Sequence, residues 1–204
     1  MAKKKPVEAD VSTEEKIKEA ARKVFTQKGF AATRTRDIAE EAGLNLALLN
    51  YYFRSKQALF DIVMMEKLQQ LFGNLYPILD EEITTLERKV EMVVHAYIEL
   101  LSANPDLPLF VLSEIRADPE RFGQRIQAGK ILRDSYFIKQ LRERRPDLHP
   151  IQFVMSLMGM TLFPFIGRPV LQAIGSLSAK EYQALMEERK TLIPKWIGAI
   201  LKVK

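Results

Sequence analysis

The sequence predicts an all-α fold: an N-terminal three-helix helix-turn-helix domain followed by a larger helical domain. Three observations carry the all-α class. Apolar residues recur at steps of three and four along most of the 204 residues, alternating β-branched runs long enough for a sheet are missing, and Gly and Pro fall between the periodic segments. Apolar residues make up 47% of the chain, enough to bury a core.

Residues 1–11, MAKKKPVEADV, read as a disordered basic tail whose lysines can add a non-specific phosphate contact. No apolar run follows them, so they are not a secretory signal. The first helix opens at Ser12, with Glu15 completing a capping box, carries Ile17, Ala20, Ala21, Val24 and Phe25 on one face, and stops at Gly29. Short helices follow over 35–42 and 46–52, then a longer one from Lys56 to about Leu75, ended by Pro77. An amphipathic stripe of Ile83, Leu86, Val90, Val93, Tyr97 and Leu101 predicts the next helix, closed by Asn104-Pro105. Further helices are expected over 107–117, over 119–145 with bends at Gly123 and Gly129, and over 150–162. Ser178 and Glu181 form a second capping box, with Leu177 and Tyr182 as a staple, and open a last helix that runs towards Lys202, interrupted or kinked at Pro194.

Composition removes several function classes. With no cysteine there is no disulfide framework, thiolate zinc site or cysteine nucleophile. His95 and His149 are too far apart to suggest a histidine metal site, so neither metal nor cofactor is expected. His95, between Glu91 and Glu99, reads as an exposed charge-paired residue, and His149, beside Pro150, as a helix cap. No GxGxxG, P-loop, HExxH or GxSxG arrangement points to an enzyme. The longest apolar stretch, 153–167, is too short to span a bilayer, so no membrane partner is expected. Residues 1–60 hold 12 Lys+Arg against 8 Asp+Glu, a net +4, whereas the remaining residues hold 19 against 18. Positive charge is thus concentrated at the N-terminus.

The informative stretch is 33–59, TRTRDIAEEAGLNLALLNYYFRSKQAL. Two helices crossing steeply over a tight turn need a small residue at their contact, a turn residue tolerant of positive φ, and apolar anchors on both inner faces. Ala39, Gly43, and the set Ile38, Ala42, Leu44 and Leu49 meet these needs in turn. Such a unit can offer its second helix to the DNA major groove. That helix ends in Asn50, Tyr51, Tyr52, Phe53, Arg54, Ser55 and Lys56, polar, aromatic and basic groups suited to phosphate oxygens, with Phe53 and Leu59 as anchors.

The stretch resembles the TetR family of bacterial transcriptional regulators. The resemblance rests on Phe25, Lys28-Gly29-Phe30, Thr35-Arg36-Asp37-Ile38-Ala39, Ala42-Gly43-Leu44-Asn45, Leu49, Tyr51-Tyr52-Phe53, Ser55-Lys56 and Leu59-Phe60. It implies a cytoplasmic, repressor-like homodimer with a helix-turn-helix domain at 12–55 and an effector-binding and dimerisation domain at 56–204. The implied partners are a double-stranded operator, a second copy of the chain and an unknown small effector. By the resemblance Thr35 and Arg36 reach phosphate, Arg36 also a base edge, and Tyr51, Tyr52 and Lys56 form the backbone-contacting set. Asn45 is placed to cap the recognition helix, so that Leu46, Ala47 and Asn50 face the groove.

Leu46 and Asn50 depart from the family pattern, which more often has a polar residue and Tyr there, so the operator sequence does not carry over. Leu and Ala can touch only thymine methyls and Asn can pair with adenine, so A·T pairs are expected in the half-site. Leu46 and Leu48 also suit packing, and Leu48 is read that way. The resemblance further places Met155, Met158, Leu162, Leu185, Leu192 and Trp196 at a four-helix dimer interface, against the alternative of a core within one subunit. It places Met64, Met65, Phe110, Phe122 and Phe137 around an effector cavity whose soft lining would suit a hydrophobic ligand. The run Lys139, Arg142, Arg144 and Arg145 reads as a solvated helix end rather than a second nucleic-acid patch. The alternative function is an architectural or protein-recruiting DNA-binding factor of the same fold without an inducer.

Overall fold

The computed structural model describes residues 7–203, which form twelve α-helices and no strand. They divide into two compact units, the first ending at Lys67 and the second beginning at Leu68. The division falls inside α4 (Lys56–Asp80), beyond its first three turns.

In the N-terminal unit, α1 (Val7–Ala32) begins before the expected Ser12, so residues 7–11 are helical instead of tail, while residues 1–6 lie outside the described residues. The residue types at 7–10, Val-Glu-Ala-Asp, suit a first turn, so the helix does not wait for the Ser12 cap. Gly29 breaks α1 with φ 73° and ψ 169°, a conformation that a side chain would disfavour. The α1 face predicted to be apolar is buried, and Phe25, Phe30 and Phe60 pack as an aromatic cluster with centroids 4.6 to 6.2 Å apart. Arg22 fastens α1 to the start of α4, its Nε and Nη2 donating to Glu66 Oε2 at 3.1 and 2.7 Å. Glu15 and Glu19 share the same guanidinium.

The second unit is built on one apolar cluster drawn from α4, α5 (Leu86–Ala103), α9 (Tyr136–Arg144), α10 (Pro150–Ile166) and α12 (Ala179–Ile200). Pro77 does not end α4 as expected. The ring of a helical proline presses on the carbonyl four residues back, and here that residue is Gly73, which has no side chain to crowd the adjustment. Ile83 is 90% exposed and stands outside α5, which starts instead at Leu86 because the Thr85 hydroxyl accepts the Arg88 N–H.

The long helix expected over 119–145 is three: α7 (Pro119–Arg125), α8 (Ala128–Asp134) and α9. The breaks are at Gln127, which adopts φ 49°, and at Ser135, whose hydroxyl caps α9, and neither is at a glycine. α6 (Leu107–Ala117) has its predicted limits; α10 runs past Pro164, and α11 (Arg168–Gly175) was not foreseen. The His149 cap is present, with Nδ1 accepting from the Ile151 N–H at 3.2 Å. Arg145 donates to Asp147 and to the Ile200 carbonyl, so this end of the basic run braces the fold. The Ser178 hydroxyl accepts from the Glu181 N–H while Glu181 Oε2 accepts from the Ser178 N–H. Ser178→Ala should lower stability by about 1 kcal/mol in chemical denaturation.

Lys89 is fully buried on α5, although nothing in its local pattern predicts burial. Its ammonium donates to the Leu79 and Glu81 carbonyls at 3.3 and 2.5 Å and lies 4.9 Å from the centre of the Tyr136 ring. Those carbonyls are at the end of α4, where a helix dipole favours a cation. Burial nonetheless lowers the pKa of this lysine, against the raising influence of Glu81 and Asp80.

Candidate functional site

α2 (Thr35–Glu41) and α3 (Leu46–Tyr52) form the helix-turn-helix at the expected positions. Ile38, Ala39 and Leu49 are buried where the two helices meet, and Ala42 and Leu44 are half-buried. The turn is closed by backbone bonds: Gly43 N–H to the Glu40 carbonyl at 3.0 Å and Leu44 N–H to the Ala39 carbonyl at 2.9 Å. Gly43 has φ 66°, and a β-carbon there would meet nothing within 4 Å. Gly43→Ala therefore tests backbone strain alone, and should cost roughly 1–2 kcal/mol in a denaturant titration. At the start of α3, Asn45 Oδ1 accepts the Leu48 N–H at 2.8 Å. At the start of α2, the Arg34 N–H donates to Asp37 Oδ2 at 2.9 Å, a bond that holds this carboxyl below its ordinary range.

Burying Leu49 turns the opposite side of α3 to solvent. Ala47 and Asn50 are exposed, Tyr51 is 78% exposed, and Leu46, Leu48 and Tyr52 are half-buried. Arg36 is exposed at the start of α2 beside half-buried Thr35, and Arg34 and Arg54 add exposed guanidiniums. Lys56 has a role that sequence reasoning missed. Its ammonium donates to the Phe30 and Thr33 carbonyls at 2.8 and 3.0 Å and lies 4.2 Å from the centre of the Phe30 ring. The first residue of α4 is thereby tied to the end of α1, leaving one ammonium proton for another acceptor. A lysine three residues after a helix-ending Phe53 was the available signal, but its acceptors are more than twenty residues back in the chain.

The second unit holds two adjoining apolar cavities, of about 180 and about 240 Å³. Of the aromatic residues expected around an effector cavity, Phe137 lines the smaller, Phe122 the larger and Phe110 neither. Met64 and Met65 are buried in the N-terminal unit and also line neither, because the chain divides beyond them. Met158, expected at a dimer interface, lines both cavities, and Leu162 lines the larger. The turn of α10 points these two inward, while Met155, on the same helix, is 60% exposed. Leu185 and Trp196 on α12 are also exposed and Leu192 is half-buried. No lining residue of either cavity is charged, and the Tyr97 hydroxyl is the only hydrogen-bonding side-chain group among them. Burial, reinforced by nearby Tyr76, pushes the pKa of Tyr97 far up, so this phenol stays protonated.

Among the described residues no single helix is long and apolar enough to cross a membrane, and no group of three or more His, Cys, Asp or Glu could hold a metal ion.

Residues 17–63 match the family described as bacterial regulatory proteins, tetR family. Over 94% of its length the chain is 24% identical to the probable HTH-type transcriptional regulator YttP of Bacillus subtilis (strain 168), covering 95% of that protein. It is 28% identical to the HTH-type transcriptional repressor KstR2 of Mycolicibacterium smegmatis, over 54% of this chain and 60% of the repressor. A crystal structure of a putative TetR-family transcriptional regulator from Mesorhizobium loti shares the fold, with a TM-score of 0.62 at 20% identity, over 93% of this chain and 96% of that one. The matched segment spans the capped α2–α3 unit and its anchors, and the relatives are regulators rather than enzymes. The chain is therefore a DNA-binding transcriptional regulator whose residues 17–63 match the bacterial regulatory proteins of the tetR family.

Proposed function

We propose that this regulator is a homodimeric repressor that binds a pseudo-palindromic operator through α3 and is released by a small, hydrophobic effector held in the second unit. One observation supports the DNA-reading face above all: Ala47, Asn50 and Tyr51 are exposed on a capped helix whose inner side is fixed by Leu49. Leu46, Ala47 and Asn50 supply base contacts in this reading, and Thr35, Arg36, Tyr51, Tyr52 and the free proton of Lys56 supply phosphate contacts. Asn45 acts through its cap. Exposed Met155, Leu185 and Trp196 give the second copy an apolar seat on α10 and α12, with half-buried Leu192 beside them. Two recognition helices about 34–36 Å apart then fit successive major-groove turns. Such a protein works on the bacterial nucleoid, in the cytoplasm.

Selection from a pool of randomised duplexes tests the reading. The recovered sites should share an inverted repeat with A·T pairs under the helix footprint, and Asn50→Ala should relax base preference at one position by about 1–3 kcal/mol. Recovery of G·C pairs alone across that footprint overturns the assignment of Asn50. Broad coverage without an enriched site supports the architectural alternative instead.

A further inference from the structure

Four side chains line both cavities of the second unit: Phe72 from α4, Tyr97 from α5, Ile126 at the end of α7 and Met158 from α10. They partition one apolar space into two compartments. Granted the effector reading above, on which this inference rests, we propose that the partition is a length gate, and that only an uncharged ligand long enough to occupy both compartments releases the regulator from DNA.

Size sets the first condition. A cavity of about 150 Å³ accommodates a benzene-sized body, so compartments of about 180 and 240 Å³ each take one short apolar group. A longer molecule must pass the partition. Charge sets the second, because no lining side chain is charged and burying an unpaired carboxylate or ammonium costs several kcal/mol. The Tyr97 hydroxyl can serve one carbonyl or hydroxyl on the ligand.

The partition has one yielding member and one that is tethered. Met158 has a flexible thioether chain that can turn aside. Ile126 ends α7 immediately before Gln127, a non-glycine residue held at φ 49°, and its carbonyl accepts a hydrogen bond from the Tyr76 hydroxyl. Tyr76 belongs to α4, whose first residue, Lys56, holds the Phe30 and Thr33 carbonyls. A ligand that displaces Ile126 therefore strains a bond to the helix that continues into the DNA-binding unit. A ligand confined to one compartment leaves that bond intact.

Linear primary alcohols from butanol to dodecanol provide the probes, with the intact protein on an operator recovered by selection. Calorimetry reads binding, and fluorescence anisotropy of labelled operator reads release. Short alcohols should bind without releasing DNA, and release should set in abruptly along the series. Tyr76→Phe keeps the ring and removes the latch, so long alcohols should still bind it while their effect on operator affinity falls by about tenfold. Met158→Ala, which thins the partition, should move the onset to shorter chains. Release that parallels occupancy at every length, or a Tyr76→Phe protein that releases like the parent, overturns the gate but leaves the effector reading standing. An operator-binding protein that takes up no alcohol of any length overturns both.

Discussion

Leu49→Ala should remove operator binding and destabilise the N-terminal unit by about 3 kcal/mol, near the low end of the range for buried Leu→Ala changes. Leu49 is 1% exposed and is the only buried residue of α3. A helix of seven residues has little stability of its own, since nucleation is unfavourable and few bonds follow it. Its persistence depends on the Asn45 cap at one end, the Phe53 N–H bond to the Leu49 carbonyl at the other, and the Leu49 side chain between them. Truncating that side chain should let α3 open locally, which hydrogen exchange of the amides at 48–53 would register before any global unfolding. Asn50→Ala is the matched control: its side chain is exposed, so exchange should be unchanged while base preference relaxes. Full operator affinity in Leu49→Ala would mean that α3 is not the reading element.

Lys56→Ala should combine two losses, in stability and in affinity for every DNA sequence. Two carbonyls that now receive a charged donor would lose it, and bonds of that kind contribute about 1.5–3 kcal/mol each where they are kept from water. Lys56 is half-buried, so the lower end of that range applies to the pair, giving about 2 kcal/mol. Removing one phosphate contact should lower the slope of log affinity against log salt by about one unit. The two effects separate experimentally. A salt titration that keeps its slope while stability falls would assign Lys56 to bracing α1 against α4 and remove it from the DNA contacts. Lys56→Arg keeps the charge but replaces a compact ammonium with a planar fork, so it should preserve the slope and lose part of the stability.

Much of this architecture was legible because its signals are local. Asn45 caps α3, His149 caps α10 and Ser178 caps α12, as each spacing implied, since a cap is made within a few residues of sequence. Gly43 at positive φ between Ala39 and Leu49 follows from the steric needs of a tight crossing. Prolines were read too strictly. Pro77 lies inside α4 and Pro164 inside α10, where packing of the flanking turns compensates for one missing hydrogen bond, and Pro194 lies inside α12, the last helix. The span 119–145 shows the opposite error, for its glycines sit within helices while Gln127 and Ser135 make the breaks.

Sequence alone determined the helical class, the position of the helix-turn-helix and the family that this segment matches, because caps, turn residues and apolar periodicity act over a few residues. Tertiary structure alone decided which apolar side chains enclose empty space: Phe72, Tyr97 and Met158 lie on three separate helices and Ile126 caps a fourth, and periodicity marks a residue as inward without saying what it meets. It also decided that Lys56 and Lys89 spend their charge on distant backbone carbonyls. A lysine's sequence neighbours show that it carries a cation, but only the folded chain brings unsatisfied helix-end oxygens within reach of it.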